Sequence, residues 1–339
     1  MKIWIDIKNA HEPLFFKTFL TNMPEHDYYI SCRDFAEIVN LLKKYNIDHQ
    51  IIGYRPEGNM IKRTLGFFYR VLKLFFNVPK FDVSLNHASI WAIYTSKLRF
   101  KKNITFTDND INHLLSKRMF KHVDYLLIPN AITKKIMIKD NMKEEGIYQY
   151  NGFKEDIYIA DFIPNPNFLQ NLSFKDFVTI RPESIQATYY PKGFSSIVPQ
   201  LFKELSKENI NVLFLPRYKS DKDYAKGCDN VYIPPEPLNG LDVGYHSKAV
   251  LTGAGTFARE AACIGTPAVS FFPGKQLLSV DQKMIENGWI LHSRAVEEIV
   301  DYVLSMKKRK PDLNRSKRVQ KEVLNIVNEI LDGIEKKNR

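Results

Sequence analysis

The chain has 339 residues, 44% of them hydrophobic and 26% charged, with a formal net charge of +11. That length is too great for one typical domain and comfortable for two, and the composition is that of a globular protein whose 23 Phe and 17 Tyr promise an aromatic-rich core. The absence of any run of about 18 apolar residues argues against a membrane span, and three widely spaced cysteines, Cys32, Cys228 and Cys263, fit reduced thiols in a cytoplasmic protein rather than a disulfide framework.

In chain order, Lys2–Ile7 reads as a strand, and Asp6 inside its apolar run argues against a signal peptide. Pro13 opens a helix with Leu14, Phe15, Phe19 and Leu20 on one side; proline suits a first helical turn, where its missing N–H is not needed. Tyr28–Ser31 is the next strand. Asp34 is placed to cap a helix whose Phe35, Ile38, Leu41 and Leu42 recur at helical spacing. Strands at His49–Ile52, Asp82–Leu85, Ile104–Thr107, Tyr125–Ile128 and Ile147–Tyr150 continue the series. Among them lies the basic segment Asn59–Lys80. It interleaves Lys62, Arg63, Arg70, Lys73 and Lys80 with apolar residues that include Phe67, Phe68, Phe75 and Phe76, and it holds no acidic residue. Two readings fit it: a helix lying on an anionic membrane, or a helix laying its aromatic face on a sheet that must be covered.

Ala160–Leu172 breaks the rhythm with Pro164, Pro166, Asn165, Asn167 and Asn171, and reads as a linker. The alternation then resumes. Strands are predicted at Phe177–Ile180, Val212–Leu215, Val231–Ile233, Ala249–Leu251, Ala268–Phe272 and Trp289–Leu291, with helices such as Ser195–Glu208 and Thr256–Ile264 between them. Strands alternating with helices imply parallel sheets covered on both faces. The predicted fold is therefore α/β, two Rossmann-like doubly wound domains facing a cleft, at residues 1–158 and 173–310, followed by a basic helix at 311–339. Lys307–Arg339 holds 11 Lys/Arg against 5 Asp/Glu. Such a tail fits nucleic acid, an anionic membrane or a solvated helix face. No nucleic-acid motif accompanies it, and no CxxC or HExxH pattern suggests a structural metal.

Ligands of doubly wound sheets sit beyond the carboxyl ends of the strands. The strongest local signal there is the run from Thr252 to Glu260. A strand ends at Leu251, Gly253, Ala254 and Gly255 make a tight turn, and a helix begins near Thr256. Glycines allow close approach to a ligand, and a helix start offers free N–H groups to a diphosphate. Glu260, one turn in, is placed to accept from ribose hydroxyls. A plain strand-to-helix turn with Glu260 on the surface is the plainer alternative. Other polar residues follow predicted strands: Asp6, Asn9 and His11; His87; Asp108, Asn109, Asp110 and His113; Asn151; Arg181 and Glu183; Arg217. Arginines bind phosphate in a fork, while Asp and Asn after strands also cap helices and build turns.

The stretch GAGTFAREAACIGTPAVSFF resembles the nucleotide-binding segment of UDP-N-acetylglucosamine 2-epimerases and related glycosyltransferase-B enzymes. By that resemblance Ala254, Gly255 and Thr256 match the phosphate turn, Glu260 the ribose-binding glutamate, and Gly265 and Pro267 a Gly-x-Pro before the next strand. It departs at Thr256, where those enzymes have glycine, and at Arg259, where the epimerases have an acidic residue. A wider resemblance, carried by MKIWIDI, FTDND, YNGFKEDIYIADF, RPE, LFLPRYK and GAG with REAA, covers nearly the whole chain. It is to the family filed as domain of unknown function 354.

The resemblance implies the glycosyltransferase-B shape, with a nucleoside-diphosphate sugar as substrate. The expected function is a sugar-nucleotide-dependent, glycosyltransferase-like enzyme in envelope or polysaccharide metabolism. The alternatives are a UDP-sugar 2-epimerase-like enzyme and a non-catalytic nucleotide or polyanion binder. Arg181, Arg217, Gly253, Ala254, Gly255, Thr256 and Glu260 are expected to hold the nucleotide, and Asp108, Asp110 and His11 to supply acid–base groups. No metal and no separate cofactor is expected, because a helix N-terminus and arginines can stabilise a leaving diphosphate. Arg259 tilts the expectation towards transfer. The expected location is cytoplasmic, with weak peripheral contact to the inner face of the membrane through Asn59–Lys80 and the basic tail, and no specific nucleic-acid partner.

Overall fold

The computed structural model describes residues 1–35, 37–54, 60–184 and 195–338; Asn59 and Arg339, at the ends of the two basic segments, lie outside them. The chain forms two compact units. Met1–Tyr158 and Ser316–Arg339 make up the first, and Ile159–Arg315 the second.

The first unit alternates β1 (Lys2–Ile7), α1 (Glu12–Asn22), β2 (Asp27–Asp34), α2 (Ile38–Lys44), β3 (Gln50–Tyr54), α3 (Met60–Asn77), β4 (Val83–His87), α4 (Ile90–Leu98), β5 (Lys102–Phe106), α5 (His113–Phe120), β6 (Tyr125–Pro129), α6 (Lys134–Lys139), β7 (Ile147–Tyr150) and α7 (Lys154–Ile159). Its strands pair in parallel in the order β3-β2-β1-β4-β5-β6-β7. Helices cover both faces, so β1 and β6 are buried along nearly their whole length and read as continuous apolar runs. The aromatic core is realised here: Phe15 and Phe19 of α1 meet Phe106 of β5 at ring-centroid distances of 5.1 and 5.6 Å. Asp34 ends β2 and does not cap α2, whose N-cap position is Glu37. The strand runs further than its apolar core because its register with β3 continues, with an irregularity, to Asp34.

The second unit contains β8 (Val178–Arg181), α8 (Val198–Lys207), β9 (Val212–Phe214), β10 (Val231–Tyr232), α9 (Gly240–His246), β11 (Val250–Thr252), α10 (Gly255–Cys263), β12 (Ala268–Ser270), α11 (Ser279–Glu286), β13 (Ile290–His292) and α12 (Val296–Ser305). Its parallel order is β10-β9-β8-β11-β12-β13. Val178, Ile180, Phe202, Phe214, Leu251 and Val269 belong to one buried cluster. The proline- and asparagine-rich segment before β8 packs on α9: Asn165 N donates to Asp242 at 2.8 Å, and Phe168 stacks on the His246 ring at 5.0 Å.

The last helix, α13 (Leu313–Asn338), belongs to the first unit from Ser316 onward. Val319, Val323, Val327, Ile330, Leu331 and Ile334 recur at helical spacing and are buried. Ser316 Oγ donates to Asp156 at 2.8 Å and Gln320 Nε2 to the Ile157 carbonyl at 3.0 Å. Lys317, Arg318 and Lys321 are exposed, so this stretch of the basic tail is a solvated helix face. Each strand predicted from the sequence overlaps an observed one. Two parallel sheets flanked by helices make this a two-domain α/β fold.

Candidate functional site

Strand order reverses between β1 and β4 in the first sheet, and between β8 and β11 in the second. At such a switch point the following helices leave on opposite faces and open a crevice at the strands' carboxyl ends. His11 follows β1 and His87 ends β4. Arg181 ends β8, and Gly253–Thr256 follow β11. Asp108 and Asp110 follow β5, one strand further on, and Arg217 follows β9.

At the first switch point His11 and His87 stand edge to face, with ring centroids 5.5 Å apart. His87 Nε2 lies 3.6 Å from Asp108 Oδ1, and Lys154 Nζ donates to Asp108 Oδ2 at 2.8 Å. Burial, reinforced by the charge of Lys154, keeps both imidazoles neutral: His87 is pushed down to about 3, and His11 well below its ordinary 6.5. Glu12 lies in the same place. Burial raises its carboxyl to about 7, although Lys8 N donates to it at 2.7 Å and Asn9 Nδ2 at 2.8 Å. The carboxyl that titrates near neutrality, beside two imidazoles held neutral by burial, is a candidate acid–base group. Asp110 is buried as well. The turn into α5 is built by Asn109, whose Oδ1 accepts from Ile111 N and Asn112 N at 3.2 and 3.1 Å, while Asp108 is engaged by Lys154.

Asp6 is a structural hub. It is fully buried and accepts from both Arg70 Nη atoms at 3.0 and 2.6 Å, from Ser31 Oγ at 2.8 Å and from Ser89 Oγ at 2.6 Å. It thereby ties β1 to β2, to α3 and to the N-cap of α4, and fixes the strand ends that carry His11 and His87.

In the second unit the glycines answer to protein neighbours. A Cβ on Gly253 would come within 2.6 Å of Glu183 Cα, and one on Gly255 within 2.9 Å of Arg259 Nη1. Glu183 is buried, accepting from Arg294 Nη1 at 2.8 Å and Ser196 Oγ at 2.6 Å. α10 begins at Gly255, and its N-cap, Ala254, supplies no side-chain cap. Beneath this start the Arg259 guanidinium pairs with Asp281 at 2.6 Å and reaches Thr256 Oγ1 at 3.3 Å. Arg259 is therefore packed inside the unit, and the acidic partner that accommodates it is Asp281. Glu260 is half-buried, facing the space left by Gly240. Arg181 is half-buried. Arg217 donates to the Pro182 carbonyl at 2.7 Å and so holds the segment after β8.

The candidate list from the sequence lacks Lys154, Glu12 and Arg294. Lys154, Glu155 and Asp156 are consecutive and all buried, although three adjacent charges suggest a solvated turn. Their one sequence signal is their place in the stretch YNGFKEDIYIADF. His11, Glu12 and His87 offer donor atoms within 4.8 Å of one another, close enough for a cation to draw together. Both Glu12 oxygens already accept hydrogen bonds, and Lys8 and Lys154 add positive charge, so acid–base use suits the trio better.

The fold is that of a two-domain α/β protein with parallel sheets flanked by helices, as in glycosyltransferase-B folds. The chain belongs to the family described as Protein of unknown function (DUF354), whose model matches residues 1–333. It is similar to Uncharacterized protein MJ0665 of Methanocaldococcus jannaschii, with 26% identity over 323 residues, covering 89% of this chain and 91% of that protein. Among solved structures it is similar to the Methanocaldococcus jannaschii UDP-GlcNAc 2-epimerase in complex with UDP-GlcNAc and UDP, with a TM-score of 0.73, 14% identity and coverage of 97% of this chain and 100% of that chain. It is also similar to the glycotransferase of kitacinnamycin, with a TM-score of 0.60, 9% identity and coverage of 98% of both chains. At these identities the structural likeness is one of fold.

Proposed function

We propose that the chain is a sugar-nucleotide enzyme with glycosyltransferase-like activity, working in the cytoplasm on envelope or polysaccharide intermediates. The observation that carries this reading is the placement of candidate groups at the switch point of each sheet. One sheet presents a helix start without a side-chain cap, and the other a cluster of neutral imidazoles and carboxyls. The fold it shares with a protein solved with UDP-GlcNAc and UDP supports the same reading.

In this reading the first-turn N–H groups of α10 and the Arg181 guanidinium take the diphosphate, and Glu260 accepts from ribose hydroxyls. Asp108, oriented by Lys154, takes the proton from the acceptor hydroxyl. The reading uses no metal, the departing charge being met by helix dipole and cation. UDP-sugar 2-epimerisation is the second reading. The Glu12 carboxyl, raised to about 7 beside the buried imidazoles, favours it, since it can remove and return a proton at the carbon next to the anomeric centre. Arg259 does not choose between the two, because it is buried against Asp281.

The test is to incubate the protein with UDP-, GDP-, CMP- and dTDP-sugars in deuterated water and follow them by NMR. Transfer or slow hydrolysis releases the nucleotide and leaves the sugar carbon undeuterated; epimerisation introduces deuterium there. Binding without either change would leave a non-catalytic binder. In calorimetry Glu260→Ala is expected to weaken nucleotide binding by about 1–3 kcal/mol through lost charged hydrogen bonds; equal affinity removes the ribose role. Asp108→Asn is expected to abolish turnover while nucleotide affinity stays within a few-fold.

A further inference from the structure

Helix α3 has two apolar faces. The inner one, with Val71 and Leu74 buried and Phe67 and Phe75 half-buried, covers the sheet. The outer one carries Ile61, Leu65, Phe68, Leu72 and Phe76, which recur every three or four residues and are 69%, 64%, 57%, 55% and 77% exposed. Covering the sheet accounts for the first face and leaves the second without a role. Large apolar groups aligned along one helix face differ from the scattered exposure of an ordinary surface. The end of α4 adds a further exposed aromatic near the end of α3. Arg99 Nη1 donates to the Val78 carbonyl at 2.7 Å, which sets the end of α4 beside the end of α3, and the adjoining Phe100 is 97% exposed.

Charge identifies the occupant. Residues 60–107 hold nine Lys/Arg against one acidic residue, Asp82, a net of +8. Arg70 is taken up by Asp6 and Lys102 by Asp124, while Arg63, Lys73 and Lys80 are exposed beside or just beyond the stripe. A second copy docked through the same patch would set these cations against themselves. An anionic lipid surface matches both features: apolar side chains enter the acyl boundary while Lys and Arg lie at the headgroups.

We propose that the first unit docks on an anionic membrane surface through the outer face of α3 and the tip of α4. No helix among the described residues is long and apolar enough to cross a membrane, so the contact is peripheral. The test is co-sedimentation of the full chain with phosphatidylcholine vesicles and with vesicles enriched in phosphatidylglycerol, at low and high salt. The wild type is expected to sediment with the anionic vesicles at low salt only. Phe68→Ser/Leu72→Ser/Phe76→Ser changes exposed positions alone and is expected to abolish sedimentation while keeping the wild-type melting curve. Arg63→Gln/Lys73→Gln is expected to weaken it by about five-fold per residue. The proposal is overturned if the wild type fails to sediment, or if the serine variant sediments as the wild type does. It also falls if the serine changes convert a dimer to a monomer in light scattering while vesicles bind neither form, which would make the patch an interface between copies.

Discussion

The carboxylate of Asp6 and the guanidinium of Arg70 are both sealed from water, and each is the other's charge partner. Removing one strands the other, at a cost of about 3–5 kcal/mol, whereas replacing both with apolar residues is often neutral. Arg70→Ala is therefore expected to lower the stability of the first unit by that amount in urea unfolding, and Asp6→Leu/Arg70→Met to recover most of it; equal losses in both variants would refute the pairing argument. In the sequence Arg70 reads as one more cation on a basic helix and Asp6 as a ligand-facing strand end. The pair was not legible because its members lie 64 positions apart and no periodicity connects them. The histidines make a second residue-scale prediction. Between about 3 and 6.5 the unfolded chain protonates His87, and the folded chain does not; burial and Lys154 shift the His11 imidazole in the same direction. Their contribution is full above 6.5 and is lost on acidification, for His87 at about 1.4 kcal/mol per pH unit. Glu12, raised from 4.5 to about 7, acts in the opposite sense: its contribution is full below 4.5 and is lost as pH rises towards 7. Between 4.5 and 6.5 the His87 and Glu12 slopes oppose each other, and His11 adds to the loss on acidification, so stability falls as pH drops through this range. His87→Asn is expected to flatten that slope. Urea midpoints measured across this range check it, and an unchanged slope would refute the assignment.

At the scale of elements, the strands were legible because parallel strands covered on both faces must be apolar along their length, and turns punctuate them. Helix starts were less so. Asp34 has the chemistry of a cap, but β2 extends through it, since pairing with β3 fixes more backbone than a cap would. The glycines after β11 were legible as a tight turn; that Glu183 and Arg259 fill the space beside them depends on contacts the sequence does not display. Gly265 was legible through resemblance, and its reason is now physical. It stands at a φ of 83° against the Arg309 backbone. Gly265→Ala is expected to cost at least about 1–2 kcal/mol from the left-handed backbone alone, read as a lowered melting temperature. A variant as stable as the wild type would mean that the turn can rearrange.

On the scale of the whole molecule, the second unit is inserted in the sequence of the first, whose fold is completed by residues from both ends of the chain. The apolar period of α13 is readable in the sequence, but not which sheet it covers. Six of its apolar side chains are buried in the first unit, and Ser316, Gln320 and Glu322 bond to Asp156, Ile157 and Asn151. Each such apolar side chain contributes about 1.5–3 kcal/mol when fully buried, against a typical domain stability of about 5–15 kcal/mol. Even Leu331→Ala alone is expected to cost about 2–5 kcal/mol. Deleting residues 316–339 is therefore expected to unfold the first unit, by exposing the surface that α13 covers and freeing the Asp156 carboxylate from Ser316. The core of the second unit contains none of those side chains and is expected to persist. Limited proteolysis with mass spectrometry reads the two outcomes separately. The prediction is a protected fragment spanning about residues 159–315 with residues 1–158 degraded. If residues 1–158 stay protected in the deletion variant, α13 is an accessory cover and not part of the fold that holds His11, His87 and Asp108 together.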